Sequence, residues 1–398
     1  MNEGKASPSM EFTYNPFLPE IRADPYPVYK RLRETDPIHF NKHAGIWFLT
    51  RHEHCNRILR DPRFSAELGQ SIRRRHDKLP RSMLSSDPPD HTRLRNPVSK
   101  IFPPMVHQLR PRIQEIVDEL LGQFAERGRI EIIGDFADPL ALRILAEILG
   151  VPPKDLERFQ DWAHEASINL DPLASPLAQR QSIEATVALV NYFTETLADR
   201  RRFPKHDLLT ALLSVVDQCN TITTEELVSM CNLVVIGGHE PTVNLIGNGL
   251  FTLLSHPDDL RLLREDRSLI KRALEEILRF DSPIQFTARV ATQDVEIDGK
   301  TIRKGQAAVA LLGAANRDPR VFRDPDQLDL VRSPNPHFAF GSGVHSCLGA
   351  PLARLAGQIA LGTLVHRFPH MQLLTDSPEW RKSIVPRGLK ALRVILRE

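Results

Sequence analysis

One run in the chain combines residue types that together can do chemistry: Phe340-Gly341-Ser342-Gly343-Val344-His345-Ser346-Cys347-Leu348-Gly349-Ala350-Pro351-Leu352-Ala353-Arg354. It places a cysteine between a glycine-punctuated loop and a helical pattern. A thiolate is stabilised at a helix N-terminus, where unpaired N–H groups and the positive end of the dipole face it. Gly341, Gly343 and Gly349 permit a tight turn and the close approach of a bulky flat ligand. Phe340, seven positions before the cysteine, is placed to wall off such a ligand. These features suit a thiolate held as the axial ligand of a haem iron, where it pushes electron density towards oxygen and favours O–O cleavage. A buried cysteine beside a helix cap accounts for Cys347 alone and leaves the ordered glycines unexplained. A zinc site from Cys347, His345 and His337 lacks a convincing fourth ligand.

A second chemical segment lies at 223–256, which reads as one long helix opened by a Thr223/Glu226 capping box. Leu233, Val234, Val235 and Ile236 are consecutive apolar positions, which predicts a helix enclosed on all sides. Gly237-Gly238-His239-Glu240-Pro241-Thr242 then breaks helix rules. Pro241 cannot donate to the Gly237 carbonyl and costs about 3 kcal/mol in a helix interior. An acid, Glu240, sits at that weak point. Rule-breaking this dense is expected at functional sites; a plain kink, or two helices meeting, is the alternative.

Helical periodicity dominates the elements that must position these groups. It predicts helices near 26–36, 51–60, 92–103, 107–127, 136–149, 184–201, 267–280 and 348–367. Short strand patterns fall at 37–41, 45–49, 129–133, 286–298 and 305–311, with a hairpin pattern near 382–397. The fold class is therefore mainly α with a small segregated β region.

The 398 residues, 41% hydrophobic, suffice for a sizeable core, and no linker, repeat or charge block marks a boundary. Fifty-two Lys and Arg against 50 Asp and Glu give no support for nucleic-acid binding. Cys55, Cys219, Cys231 and Cys347 show no disulfide or CxxC spacing, which fits a reducing compartment. Met1 to Met10 is polar, without the apolar core of a signal peptide or anchor, so a cytoplasmic, membrane-free protein is expected.

The Cys347 run resembles, almost residue for residue, the haem-binding signature of the cytochrome P-450 family, and the resemblance extends from about residue 15 to 395. Asn15-Pro16-Phe17, Asp24-Pro25-Tyr26-Pro27 and Trp47-Phe48-Leu49-Thr50 are supporting matches. Glu276-Ile277-Leu278-Arg279 matches the family's Glu-x-x-Arg pair, implied to be buried and to brace the loop behind the thiolate. The family's third brace is an arginine in a Pro-x-Arg-Phe run; Pro325-Asp326-Gln327-Leu328 has glutamine there, leaving Arg332 to reach in from nearby.

The resemblance implies a single domain over 1–398, with a flexible start at 1–14, and haem b between the 223–256 and 348–367 helices. Cys347 would be its iron ligand. His91 and Arg95 in Asp87-Pro88-Pro89-Asp90-His91-Thr92-Arg93-Leu94-Arg95, with Arg289 and His345, would hold the propionates, while Phe340, Gly341, Gly349 and Gly238 would touch the ring. Glu240 and Thr242 would handle protons, with Pro241 standing where most of the family has threonine. Leu233, Ile284, Phe286, Ile384 and Val385 would line an apolar substrate pocket. The 71–81 stretch has an excess of four positive charges; it reads as a solvated loop or as a dock for an anionic substrate or an acidic carrier protein.

The implied activity is insertion of one atom of O2 into a largely hydrophobic natural product by a monomeric enzyme. Electrons would come from a separate ferredoxin and ferredoxin reductase. The competing readings are a peroxide-driven peroxygenase and a non-catalytic haem sensor. Peroxygenases of this fold carry arginine immediately before a proline in the long helix, where this chain has Glu240.

Overall fold

The computed structural model describes residues 14–67, 82–125, 128–168, 175–219 and 222–396, so the basic stretch 71–81 lies outside the described residues. Eight helices position the site: α1 (Asp90–Gln108), α2 (Asp138–Leu149), α3 (Leu156–Ser167), α4 (Pro176–Arg202), α5 (Thr224–Gly238), α6 (Glu240–Ser255), α7 (Ile270–Phe280) and α8 (Ala350–Arg367). The largest apolar core runs between them and includes Leu145, Ile246, Ile277 and Leu361, each almost fully buried. Burying one such side chain contributes about 1.5–3 kcal/mol. Where α6 meets α8 and α7 the packing leaves no room for a side chain: a Cβ on Gly249 would stand 2.9 Å from Leu361 and 3.2 Å from Ile277.

The long helix expected over 223–256 is two helices. The Thr223/Glu226 capping box opens α5, which ends at Gly238, and α6 begins at Glu240 with His239 (φ −79°, ψ −81°) capping both. Pro241 thus occupies the first turn of a new helix, where its missing donor and fixed φ carry no penalty. The expected interior cost of Pro241 is avoided by restarting the helix. Near the end of α5, Val235 is buried, Leu233, Val234 and Ile236 are half-buried and Gly237 is exposed.

The main sheet has five strands: β1 (Ile38–Asn41), β2 (Ile46–Leu49), β3 (Phe64–Ser65), β4 (Phe286–Ala291) and β5 (Ala307–Leu311). Their order is β1-β2-β5-β4-β3, antiparallel except for β2 beside β5. Arg129–Glu131, Arg393–Ile395 and Gln372–Leu373 form a smaller sheet, and Val295–Ile297 pairs with Lys300–Ile302. The architecture is mainly helical with small, segregated sheets, as expected.

Candidate active site

The loop around Cys347 closes on itself and on the helix behind it. The Cys347 N–H donates to the Phe340 carbonyl at 2.8 Å. Gly341 and Gly343 have φ of +67° and +74°, a region L side chains rarely adopt. At Gly343 space forbids a side chain as well, since a Cβ would lie 2.5 Å from the Leu59 carbonyl oxygen. Leu59 belongs to the helix His52–Arg60, whose Arg60 Nε donates to Ser342 Oγ at 2.9 Å. Gly349 is less constrained: a Cβ there would sit 3.7 Å from the Cys347 sulfur, ordinary contact. The Cys347 side chain is exposed. Protein packed behind its sulfur raises the thiol pKa, against the pull of the Gly349 and Ala350 N–H groups and of Arg95 and Arg354.

Beside this loop the structure gathers His91, Arg95, Arg289 and His345. The two imidazoles lie 4.3 Å apart between centroids. Neither ring nitrogen of His91, nor Nε2 of His345, has a hydrogen-bond partner among the described residues, although all three are buried. Arg95 donates to the Ser346 carbonyl at 2.5 Å, and Arg289 to its neighbour's carbonyl at Ala288 at 2.8 Å. Burial first, then the crowding of like charge, lowers the proton affinity of both imidazoles and takes His345 down to about 4. Asp87 alone opposes this, with its carboxylate 4.0 Å from His345. The cluster is a buried, positively charged cradle with donors to spare.

Two adjacent carboxylates of α7 brace the loop from behind. Glu276 and Arg279 are 0% exposed and form a bidentate pair at 2.7 and 2.8 Å. Arg279 also donates to the carbonyls of Asn316, Pro325 and Gln327. Arg332 Nε reaches both Glu276 oxygens at 3.1 Å, and Asn335 and the Asp329 N–H complete the carboxylate's shell. Gln327, at the expected arginine position, contributes its backbone carbonyl to Arg279. Next to it, Glu275 accepts two hydrogen bonds from Arg354 and meets His337 Nε2 at 3.1 Å. The Arg354 guanidinium in turn covers the Phe340 ring at 4.5 Å. His337, weighed above as a zinc ligand, is thus engaged by Glu275, and His345 stacks towards His91.

At the α5–α6 break, Glu240 is mostly buried and its carboxylate meets Arg381 Nη1 at 3.3 Å. The Thr242 hydroxyl donates to the Gly238 carbonyl at 2.7 Å. Gly238 does not open onto space: a Cβ there would meet Leu145 of α2 at 2.8 Å, so its bareness serves helix packing. Gly237, with nothing within 4 Å of such a Cβ, is the open position. Along α6, Asn244 and Asn248 follow Glu240 at four-residue spacing, fully buried, and face the segment around Arg381–Gly388. Four-residue spacing in an otherwise apolar helix is the signal by which they were findable.

The expected pocket residues do not all converge. Phe286 lies on the opposite face of β4 from Arg289, because strand side chains alternate. It packs with the cluster of Tyr14, Phe48 and Val309. Thr287 shares the Arg289 face, its Oγ1 accepting from Arg289 at 3.3 Å. Ile284 is half-buried beside the cluster that includes Leu59 and Phe338, and bridges to Pro386. The Val385 carbonyl accepts from the Gln285 N–H at 3.1 Å. Ile384 lines a crevice shared with Tyr14, Trp380 and Arg381.

Comparison with known proteins agrees with this architecture. A family model described as Cytochrome P450 matches residues 176–382. The chain is 42% identical over 384 residues to the biotin biosynthesis cytochrome P450 of Bacillus subtilis (strain 168), covering 94% of this chain and 97% of that protein. It superposes with a TM-score of 0.88 and 39% identity on the crystal structure of P450BioI in complex with hexadec-9Z-enoic acid ligated acyl carrier protein, covering 95% and 99% of the two chains. On the Bacillus subtilis 168 bacillaene polyketide synthase cytochrome P450 PksS the TM-score is 0.90 at 34% identity, covering 97% and 100%. Sequence similarity over nearly the whole chain and the shared fold lead to one assignment: the chain belongs to the cytochrome P450 family, enzymes that bind haem b and act as monooxygenases.

Proposed function

We propose that this enzyme hydroxylates or epoxidises a long acyl or polyketide chain, free or tethered to a carrier protein, with Cys347 as the iron ligand. The observation that carries the assignment of the haem site is the cradle of His91, Arg95, Arg289 and His345. Buried cations and imidazoles with spare donors fit a ligand that brings two carboxylates, as the haem propionates do. Bound haem b supplies the activation of dioxygen and the transfer of one oxygen atom.

The chain's own groups do the rest. The N–H groups of Gly349 and Ala350 favour the thiolate at Cys347. Gly237 lets α5 approach a flat ligand without a side chain between. Glu240, paired with Arg381 at the helix break, is the group placed to pass a proton. The acyl or polyketide assignment rests on the relatives, one solved with an acyl-loaded carrier protein and one belonging to a polyketide synthase. We place the protein in the cytoplasm as a monomeric single P450 domain, supplied by ferredoxin and its reductase. Among the described residues no helix is long and apolar enough to cross a membrane.

The test is spectroscopic. The reduced carbon-monoxide complex should show the red-shifted Soret band of thiolate ligation, and Cys347→Ala should lose it; a mutant that keeps the band has another ligand. Hexadecenoyl-carrier protein, free hexadecenoic acid and a macrolide aglycone are then titrated for a spin-state shift. A shift with none of the three overturns the substrate class. Turnover with a ferredoxin system, set against turnover with peroxide alone, separates the monooxygenase from the peroxygenase.

A further inference from the structure

His239, 3% exposed, lies between the first residue of α2 and the last of α3. Its Nε2 is 2.7 Å from Asp138 Oδ1 and its Nδ1 is 3.2 Å from Ser167 Oγ. Ser167 has one hydroxyl proton and donates it to the Ala163 carbonyl at 2.7 Å. Its oxygen is therefore left to accept the Nδ1 proton of His239. A ring protonated at Nδ1 turns Nε2 towards the Asp138 carboxylate, a contact that is favourable with a cation on Nε2, whether a second proton or a metal ion. His164 of α3 stands at the same place, its ring centroid 6.1 Å from that of His239. One nitrogen of each imidazole and one Asp138 oxygen all lie within 4.8 Å of one another.

We propose that Asp138, His164 and His239 form a binding site for a divalent transition metal of the zinc type, with water in the fourth position. Two imidazoles and a carboxylate are a donor set that suits this ion. The Nδ1–H bond to Ser167 is the outer contact that fixes a ligating imidazole in the correct tautomer. The nearby Arg381 charge is met by Glu240. Metal–ligand bonds of about 2.0–2.2 Å separate neighbouring donors by about 3.2–3.6 Å. The His239–Asp138 contact therefore opens by less than about 1 Å, and the exposed His164 ring closes by rotating. The ion would tie α2, α3 and the α5–α6 junction together, one residue from Glu240.

A second group, Glu53, His54 and Asp298, supplies the control, because both of its carboxylates are exposed and ion-paired with arginines. The haem-loaded enzyme is titrated with zinc chloride alone, followed by calorimetry and thermal melting. One equivalent should bind, and at about 100 times its Kd the Tm should rise by about 3 °C. His164→Ala removes only an exposed ring and should abolish both signals; Asp138→Asn should do the same. Asp298→Asn should keep them. An undiminished response in His164→Ala, a loss confined to Asp298→Asn, or no binding at millimolar zinc overturns the proposal.

Discussion

Arg381 Nη1 meets Glu240 Oε1 at 3.3 Å, joining a C-terminal segment to the first turn of α6 across 141 residues of sequence. Both side chains keep some contact with solvent, 27% and 13% exposed, so the pair is worth only about 0.2–1 kcal/mol. The pair fixes where the Glu240 carboxylate points. Glu240→Gln should lower kcat at least tenfold with little change in KM, the pattern of a group that acts after binding. Arg381→Gln should keep the Tm within about 1 °C while lowering the product formed per NADPH. Wild-type rate and coupling in Glu240→Gln would remove this carboxylate from the proton path.

Glu276 is the hub behind the cysteine loop, receiving Arg279, Arg332, Asn335 and a backbone N–H at full burial. Glu276→Ala leaves two guanidinium groups facing an empty position and should cost on the order of 3–5 kcal/mol. Lower soluble yield and poorer haem loading should follow, with substrate preference unchanged in what survives. Arg332→Ala should cost less, since Arg279 still meets the carboxylate bidentately. A haem-replete Glu276→Ala protein with wild-type Tm would contradict this account.

The neighbouring Glu275 gives a pH signature. Burial pushes its carboxyl up, but His337 and Arg354 outweigh burial and hold it at about 2 against an ordinary 4.5. A carboxyl with a depressed folded pKa adds stability that is full above 4.5 and lost as pH falls from 4.5 towards 2. Glu275→Gln should therefore melt below wild type at pH 6, and the gap in Tm should narrow at pH 3. A gap that is the same at both pH values would mean the carboxylate's charge is not what matters there.

The cysteine loop was legible because its residues are contiguous and each has a separate physical task. The helix break was legible as rule-breaking, with two helices meeting as one reading; that they share His239 shows only in the backbone, where Pro241 restarts a helix. The side on which Phe286 lies was readable and missed: three positions from Arg289 in a strand means the opposite face. Other relationships left no local trace. Asp138 is 101 residues from His239 and Arg381 is 141 from Glu240. Helix α3, whose buried Phe159, Ala163 and Ala166 recur at helical spacing, was readable and missed.

Pro241 offers the sharpest experiment, because the structure accounts for the hydroxyl that flanks it. Thr242 donates its hydroxyl to the Gly238 carbonyl at 2.7 Å, across the break. Thr242→Val should therefore disturb the local helix more than the chemistry. Pro241 itself sits in the first turn of α6, where an N–H needs no partner within the helix. Pro241→Thr is then sterically admissible and should cost only about 0.4–1 kcal/mol, chiefly through a freer unfolded chain. It would add a hydroxyl beside Glu240 that the wild type lacks. On substrates with no hydroxyl near the oxidised carbon, Pro241→Thr should raise the product formed per NADPH and lower peroxide release, while leaving the spin-state shift on binding unchanged. The double variant Pro241→Thr/Glu240→Gln should lose that gain, because the added hydroxyl would have no acid behind it. If coupling in Pro241→Thr matches wild type on such substrates, protons reach the site by a route that does not pass this turn of the helix.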